Sequence, residues 1–156
     1  MKVVKTDNTS FSRLTHNAKR YIYDKAWNMA AHGQAVDAVK TMRLYRYFAG
    51  LRNYTVDVSG YNGSQARKIQ VYKFFDLAFR KNPKPVAETT VYKFKEISQP
   101  NSVLPELLDM QSKVGGKVLT GDEFTRSERA LINSFERPDN THYNDAGLFE
   151  KMSKLR

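Results

Sequence analysis

Basic and aromatic side chains interleave in one stretch, Lys40 to Arg52 (KTMRLYRYFAGLR), more densely than elsewhere in the chain. Lysine and arginine neutralise backbone phosphates, and aromatic rings stack on exposed bases. These residue types indicate contact with nucleic acid or another polyanion. The candidate contacts, in this stretch and beyond it, are Lys40, Arg43, Arg46, Tyr47, Arg52, Lys73 and Arg80, with Tyr54 and Tyr61 as further stacking candidates.

The whole net charge of +10 lies in the first half of the chain. Residues 1–82 hold 15 Lys and Arg against 5 Asp and Glu, whereas residues 83–156 hold 11 of each. The first half also carries 13 of the 19 aromatic residues. Such a bias between halves is typical of proteins that bind nucleic acid or other polyanions. The alternative is a basic surface that only serves solubility, with the tyrosines in the core and Arg46 paired to Asp37 or Asp57.

Two helices are predicted to position the first half. Apolar residues recur at steps of three or four from Phe11 to Met29, behind the helix caps Thr9 and Ser10, and Gly33 suits the turn that ends this helix. Residues 34–52 give a second helix with two apolar strips, which packs against two neighbours. The side of the helix between the two strips is predicted to form a narrow basic groove, lined by Lys40, Arg43 and Tyr47.

The middle of the chain is predicted to hold a strand, a helix and a second strand. Residues 54–59 (YTVDVS) alternate and are rich in β-branched side chains. Residues 65–81 fit an amphipathic helix that ends at the NPKP segment. Its predicted core face is Val71, Tyr72, Phe74, Phe75, Ala78 and Phe79. Residues 88–97 favour a strand, which would complete a right-handed crossover unit.

The second half is predicted to be helical. Ser102 caps a helix that reaches Lys113, a glycine turn follows at residues 115–116, and residues 117–119 form a short strand. Thr120 and Glu123 fit a capping box before a helix that buries Phe124, Leu131 and Phe135. Residues 148–155 form a last amphipathic helix that needs a partner surface. The prediction is one domain over residues 1–156, mainly α (α+β), with a small sheet of two or three short strands.

Several chemistries have no support in the sequence. There is no cysteine, and the three histidines, His16, His32 and His142, have neither metal-ligand spacing nor an acidic cluster beside them. No nucleophile-elbow, phosphate-loop or dinucleotide motif occurs. We therefore predict no metal, no cofactor and no catalytic residue. No stretch is apolar enough for a signal peptide or a membrane span, which predicts a cytoplasmic protein, or a virion component if the source is viral.

The order of elements from Thr90 to Phe135 resembles that of ADP-ribosyltransferases. In that family an aromatic-Arg strand precedes a glycine turn and a Phe-x-Ser-Thr-Ser strand; this chain has TTVYKFKEI and then VGGKVLTGDEFTRSERALINSF. Lys93 stands in place of the family's Arg, FTRS replaces the Ser-Thr-Ser segment, and no Glu-x-Glu follows. The resemblance covers under a third of the chain and implies at most a degenerate relative, so we transfer no functional residue from it.

Three functional hypotheses follow. The first is a nucleic-acid-associated accessory protein that binds backbone phosphates without strong sequence preference. The second is a structural or assembly protein, such as a viral particle or connector component, or an inhibitor, with a protein partner or self-association through the C-terminal helix. The third is a transferase-type or nuclease-type enzyme, for which Lys93, Glu123 and Glu128 are the residues to test.

Overall fold

The computed structural model describes residues 13–60, 65–98, 103–115 and 123–136. Its elements in chain order are α1 (His16–Ala31), α2 (Ala35–Ala49), β1 (Tyr54–Val58), β2 (Ala66–Lys73), α3 (Phe74–Phe79), β3 (Ala87–Tyr92), α4 (Lys93–Ser98), α5 (Val103–Lys113) and α6 (Arg126–Glu136). The predicted α+β fold with a small sheet is confirmed.

The first helix begins at His16 because Thr15 caps it. The Thr15 hydroxyl accepts a hydrogen bond from the Ala18 amide, 3.2 Å away. The predicted apolar positions Leu14, Ala18, Ile22, Ala26 and Met29 are all fully buried. The helix starts later than predicted, because residues 13–15 are not helical and Leu14 lies before α1. Leu14 precedes the helix and pairs with Val56 of β1, so the chain just before α1 covers the outer edge of β1. Gly33 ends the helix with φ of 77°.

The second helix, α2, lies at the centre of the helical layer. It packs against α1 and also against α5 and α6. The prediction that this helix buries two sides is confirmed for Ala35, Ala38, Val39 and Met42 on the first strip and for Leu44 and Phe48 on the second. Two further residues of the first strip differ from the prediction, because Tyr45 is half-buried and Ala49 is exposed. A helix enclosed by three others leaves few of its side chains in contact with water.

The three strands form an antiparallel meander in the order β1-β2-β3. β2 is the central strand and pairs with both neighbours, for example Val71 with Val56 of β1 and with Ala87 of β3. Alternate residues point to one apolar face, where Val56, Val58, Ile69, Val71 and Val91 are buried. α1 packs on β1, and α5 packs on β2 and β3.

The predicted helix over residues 65–81 is wrong. Residues 66–73 form β2, because pairing with two strands satisfies their backbone groups and buries Ile69 and Val71. Only residues 74–79 are helical, and α3 has no buried residue. Phe75 and Phe79, which were assigned to the core, are exposed. The right-handed crossover is therefore also wrong, since no helix of the predicted length separates β1 from the next strand.

The second half is largely as predicted. The strand predicted over residues 88–97 is confirmed only as far as Tyr92 in β3, and its second part is wrong because Lys93–Ser98 form α4. α5 ends at Lys113, before Gly115 with φ of 84°. Leu131 and Phe135 of α6 are buried and Phe124 is half-buried. Several predicted features lie outside the described residues: the cap at Thr9–Ser10 with Phe11, Tyr61, Ser102, the strand at 117–119, Thr120, His142 and the helix at 148–155.

Candidate nucleic-acid interface

Arg43, the central cation of the predicted groove, joins α2 to α6 through a buried ion pair. Its Nε and Nη2 donate hydrogen bonds to the two carboxylate oxygens of Glu128, both at 2.8 Å. Nη2 also donates to the backbone carbonyl of Glu123, and the guanidinium lies 4.6 Å from the centre of the Phe124 ring. The side chains of Arg43 and Glu128 are only 11% and 2% exposed. We therefore remove Arg43 from the candidate phosphate contacts.

The partner of Arg43 belongs to a capping box that starts α6. The Thr125 hydroxyl accepts from the Glu128 amide at 3.1 Å, and the Glu128 carboxylate accepts from the Thr125 amide at 2.9 Å. This reciprocal pair satisfies two backbone donors at the helix start. The sequence predicted this motif five residues earlier, at Thr120 and Glu123; Glu123 precedes α6, so that assignment is wrong.

Glu128 remains ionised in this buried position because its environment favours the charge. Burial acts to raise the pKa of its carboxyl, but the hydrogen bonds from Arg43 and Thr125 outweigh burial. The charges of Arg43 and Arg46 add to this effect, and the pKa of Glu128 lies below its ordinary value. Glu128, one of the residues named for the enzymatic hypothesis, thus forms a buried ion pair with Arg43.

The other candidates on α2 are half-buried. Arg46 contributes its charge to Glu128, and Tyr47 packs edge-on against Phe48, with ring centres 5.6 Å apart. Burial raises the pKa of the Tyr47 hydroxyl. Lys40 is also only partly exposed. The α2 stretch that first indicated polyanion binding is therefore mainly a packing element.

The remaining candidates, Arg52, Lys73 and Arg80, meet at one end of the sheet. The register pairs Tyr54 with Lys73, and the Phe74 amide donates to the Asn53 carbonyl at 2.9 Å. These contacts place Arg52 beside the start of α3. α3 spans six residues, roughly 9 Å, so Arg80 at its far end stays close to Lys73.

Two further lysines belong to the same end. The segment after α3 returns to the sheet at once, because the Val86 amide donates to the Val71 carbonyl at 2.7 Å. Lys81 and Lys84 lie in this short connection and are exposed. We name this region the sheet-end surface and define it as Arg52, Lys73, Phe75, Phe79, Arg80, Lys81 and Lys84.

The two phenylalanine side chains of the sheet-end surface are exposed to solvent. Phe75 is 67% exposed and Phe79 is 74% exposed. Their rings are stacked, with centres 5.9 Å apart and planes inclined by 19°. Sequence reasoning missed them because apolar residues at helical spacing are usually core residues. A weak signal for them is the alternation of Ile69 and Val71 with Lys68 and Gln70, which is compatible with a strand and would leave too short a helix to bury both rings.

Positive charge dominates the sheet-end surface. It carries five cations, of which Arg80 pairs through Nε with the Asp76 carboxylate at 3.1 Å. Among the described residues, Arg52, Lys73, Lys81 and Lys84 have no ion-pair partner. Exposed cations beside exposed rings are the arrangement that holds a phosphate backbone and stacks on its bases.

Other kinds of site find little support in the part of the chain that the structure describes. No group of three or more His, Asp or Glu side chains there is arranged to hold a metal ion. His16 and His32 lie at the two ends of α1, and His32 Nδ1 lies 2.7 Å from the Asn28 carbonyl oxygen. Within the same described ranges, no helix is long and apolar enough to cross a membrane.

Comparisons of the chain with known protein families, with curated proteins and with solved structures find no match. Lys93, which the sequence resemblance aligned with the Arg of the ADP-ribosyltransferase strand, is the first residue of α4 and follows β3.

Proposed function

We propose that this protein binds nucleic acid through backbone phosphates, without strong sequence preference, and that the sheet-end surface makes the contact. The observation that carries the proposal is the cluster of exposed cations around two exposed aromatic rings at one end of the sheet. Four of these cations have no ion-pair partner among the described residues, so phosphate contact would break no ion pair of theirs.

The charge distribution along the chain supports the same proposal. Six of the seven residues of the sheet-end surface come from residues 1–82, which carry the whole excess charge of +10, and Lys84 lies two positions beyond this range. A concentrated positive potential raises the association rate with a polyanion and makes its affinity sensitive to salt. Phosphate contact does not distinguish one base from another, so little sequence preference is expected.

The experiment is a fluorescence-anisotropy titration of mixed-sequence DNA and RNA oligonucleotides at several salt concentrations. We expect binding at low salt that weakens linearly on a logarithmic scale as salt rises. A triple variant, Lys73→Gln with Lys81→Gln and Lys84→Gln, should lose most of the affinity. Its matched control, Arg20→Gln with Arg126→Gln and Arg129→Gln, removes three exposed cations elsewhere and the same net charge. Absence of binding at low salt, or equal losses in both triple variants, would refute the proposal.

A protein partner or self-assembly is the second candidate, favoured by an exposed aromatic pair at the other end of the sheet. Tyr92 and Phe94 are 53% and 72% exposed, and their ring centres lie 6.3 Å apart. Exposed apolar pairs are common where proteins associate. Light scattering in high salt tests this candidate, because a stable oligomer under those conditions, dispersed by Phe94→Ser, would favour assembly over nucleic-acid binding.

A further inference from the structure

We propose that Phe75 and Phe79 form a stacking platform that makes the sheet-end surface prefer single-stranded to double-stranded nucleic acid. This inference rests on the proposed function and adds to it the class of nucleic acid. The two rings lie one helical turn apart on α3, are stacked on each other, and are each more than two-thirds exposed.

The rings are not needed to hold α3 in place. Phe74, the first residue of the helix, anchors it: its amide donates to Asn53, and the Arg13 guanidinium lies 3.9 Å from the centre of its ring. The Phe74 ring in turn meets the Phe75 ring edge-on, with centres 5.1 Å apart. Phe75 and Phe79 are thus fixed at their backbone while most of each side chain remains exposed, as a preorganised platform requires.

The charges around the rings identify the occupant. Lys73 precedes the first ring, and Arg80 and Lys81 follow the second, so a ligand that covers the rings meets cations on both sides. A purely apolar partner would have to desolvate these charges without compensation. A single strand presents base faces to the rings and phosphates to the cations at the same time.

A duplex cannot use the platform in the same way. Its bases are already stacked on each other and paired, so their faces are not available without unpairing. Duplex binding would therefore use the cations alone, and single-strand binding would use cations and rings together. The difference between the two affinities measures the contribution of Phe75 and Phe79.

The test compares the affinities for a single-stranded DNA oligonucleotide of mixed sequence and for its duplex, at one fixed salt concentration. The variant Phe75→Leu with Phe79→Leu keeps apolar side chains but removes the flat faces. We expect it to lower the single-strand affinity by about tenfold or more and to leave the duplex affinity unchanged. The matched control, Phe75→Tyr with Phe79→Tyr, keeps the faces and should keep the single-strand preference.

Three results with the leucine variant would overturn the inference. The first is an unchanged single-strand affinity in the leucine variant. The second is an equal loss for both substrates, which would indicate altered structure and would be checked against the urea unfolding midpoint. The third is a change of mass in light scattering with unaltered binding, which would make the rings a contact between copies of this chain. Wild-type protein that binds duplex and single strand equally contradicts the platform alone; wild-type protein that binds neither contradicts the proposed function.

Discussion

Two regions of the molecule, the α2–α6 contact and the sheet-end surface, combine cations with aromatic rings. The first region largely buries them and the second exposes them. Arg43 lies over the Phe124 ring as a buried cation with a carboxylate partner. Lys73 and Arg80 flank the exposed rings of Phe75 and Phe79 in water. The difference is the acid that α6 contributes, Glu128, because a cation with a buried partner stabilises the fold and a solvated cation remains able to bind. Dense basic and aromatic residues in a sequence do not by themselves locate a binding site.

The largest expected effect comes from breaking the buried pair. Arg43→Ala leaves the Glu128 carboxylate buried without its partner and should lower the free energy of unfolding by about 3–5 kcal/mol. Urea denaturation followed by circular dichroism measures the loss. Arg80→Ala removes a cation whose side chain is 71% exposed. It should lower the free energy of unfolding by no more than about 0.5 kcal/mol.

Replacing both partners separates a lost interaction from a stranded charge. Arg43→Met combined with Glu128→Leu should recover most of the stability that Arg43→Ala loses, because no charge remains buried. If Arg43→Ala and Arg80→Ala prove equally mild, the contrast between the buried and the exposed cation is not real.

A smaller effect is expected at the capping box. Thr125→Ala removes the hydroxyl that accepts from the Glu128 amide and should lower the free energy of unfolding by about 1 kcal/mol. Ser127→Ala, an exposed position within the first turn of α6, is the matched control and should change stability by less than about 0.5 kcal/mol. Equal effects of the two substitutions in urea melts would show that α6 does not depend on this cap.

The smallest expected effect is the dependence of stability on pH. Burial raises the pKa of Glu128 while its hydrogen bonds lower it, so the two effects partly cancel. Since this pKa is lower in the folded state, the ionised group stabilises the fold above the unfolded value of about 4.3. The stabilisation is lost as the pH falls through the folded-state pKa. The gap in unfolding free energy between wild type and Glu128→Gln should therefore narrow as the pH falls from about 7 through the folded-state pKa of Glu128.

Glu88→Gln provides the control for this pH series. The pKa of Glu88 is also lowered, by hydrogen bonds from Gln70 and Lys68, but its side chain is solvent-exposed. Solvent screening makes such surface pairs contribute little to stability, so this variant should run parallel to wild type. If the unfolding free energy of Glu128→Gln also runs parallel to that of wild type across the pH series, protonation of Glu128 does not affect the stability of the fold.

Local patterns predicted the parts of the fold that depend on local interactions. The apolar stripe from Leu14 to Met29, the turn at Gly33, strand β1 and the end of α5 at Lys113 follow from periodicity and turn residues. Residues 66–73 did not, because their state is decided by pairing with β1 and β3 rather than by their own pattern. An apolar series that runs across the junction of β2 and α3 imitates one long helix.

The candidate site was only partly predictable for the same reason. Arg52, Lys73 and Arg80 were chosen as cations, and their grouping depends on the register of β1 with β2. The bond between Arg43 and Glu128 joins residues 85 positions apart, which no local pattern reveals. Thr125 and Glu128 have the spacing of a capping box, but Thr120 and Glu123 have it as well, and only the fold distinguishes them.

The most direct test of the contrast is the slope of log affinity against log salt concentration for single-stranded DNA. Each phosphate contact that is lost should make this slope less steep by about 0.7. The triple variant of Lys73, Lys81 and Lys84 should therefore bind with a slope reduced by about 2, and the Arg20, Arg126 and Arg129 control should keep the wild-type slope. A wild-type slope in the first variant, or equally reduced slopes in both, would contradict a binding role for the sheet-end surface.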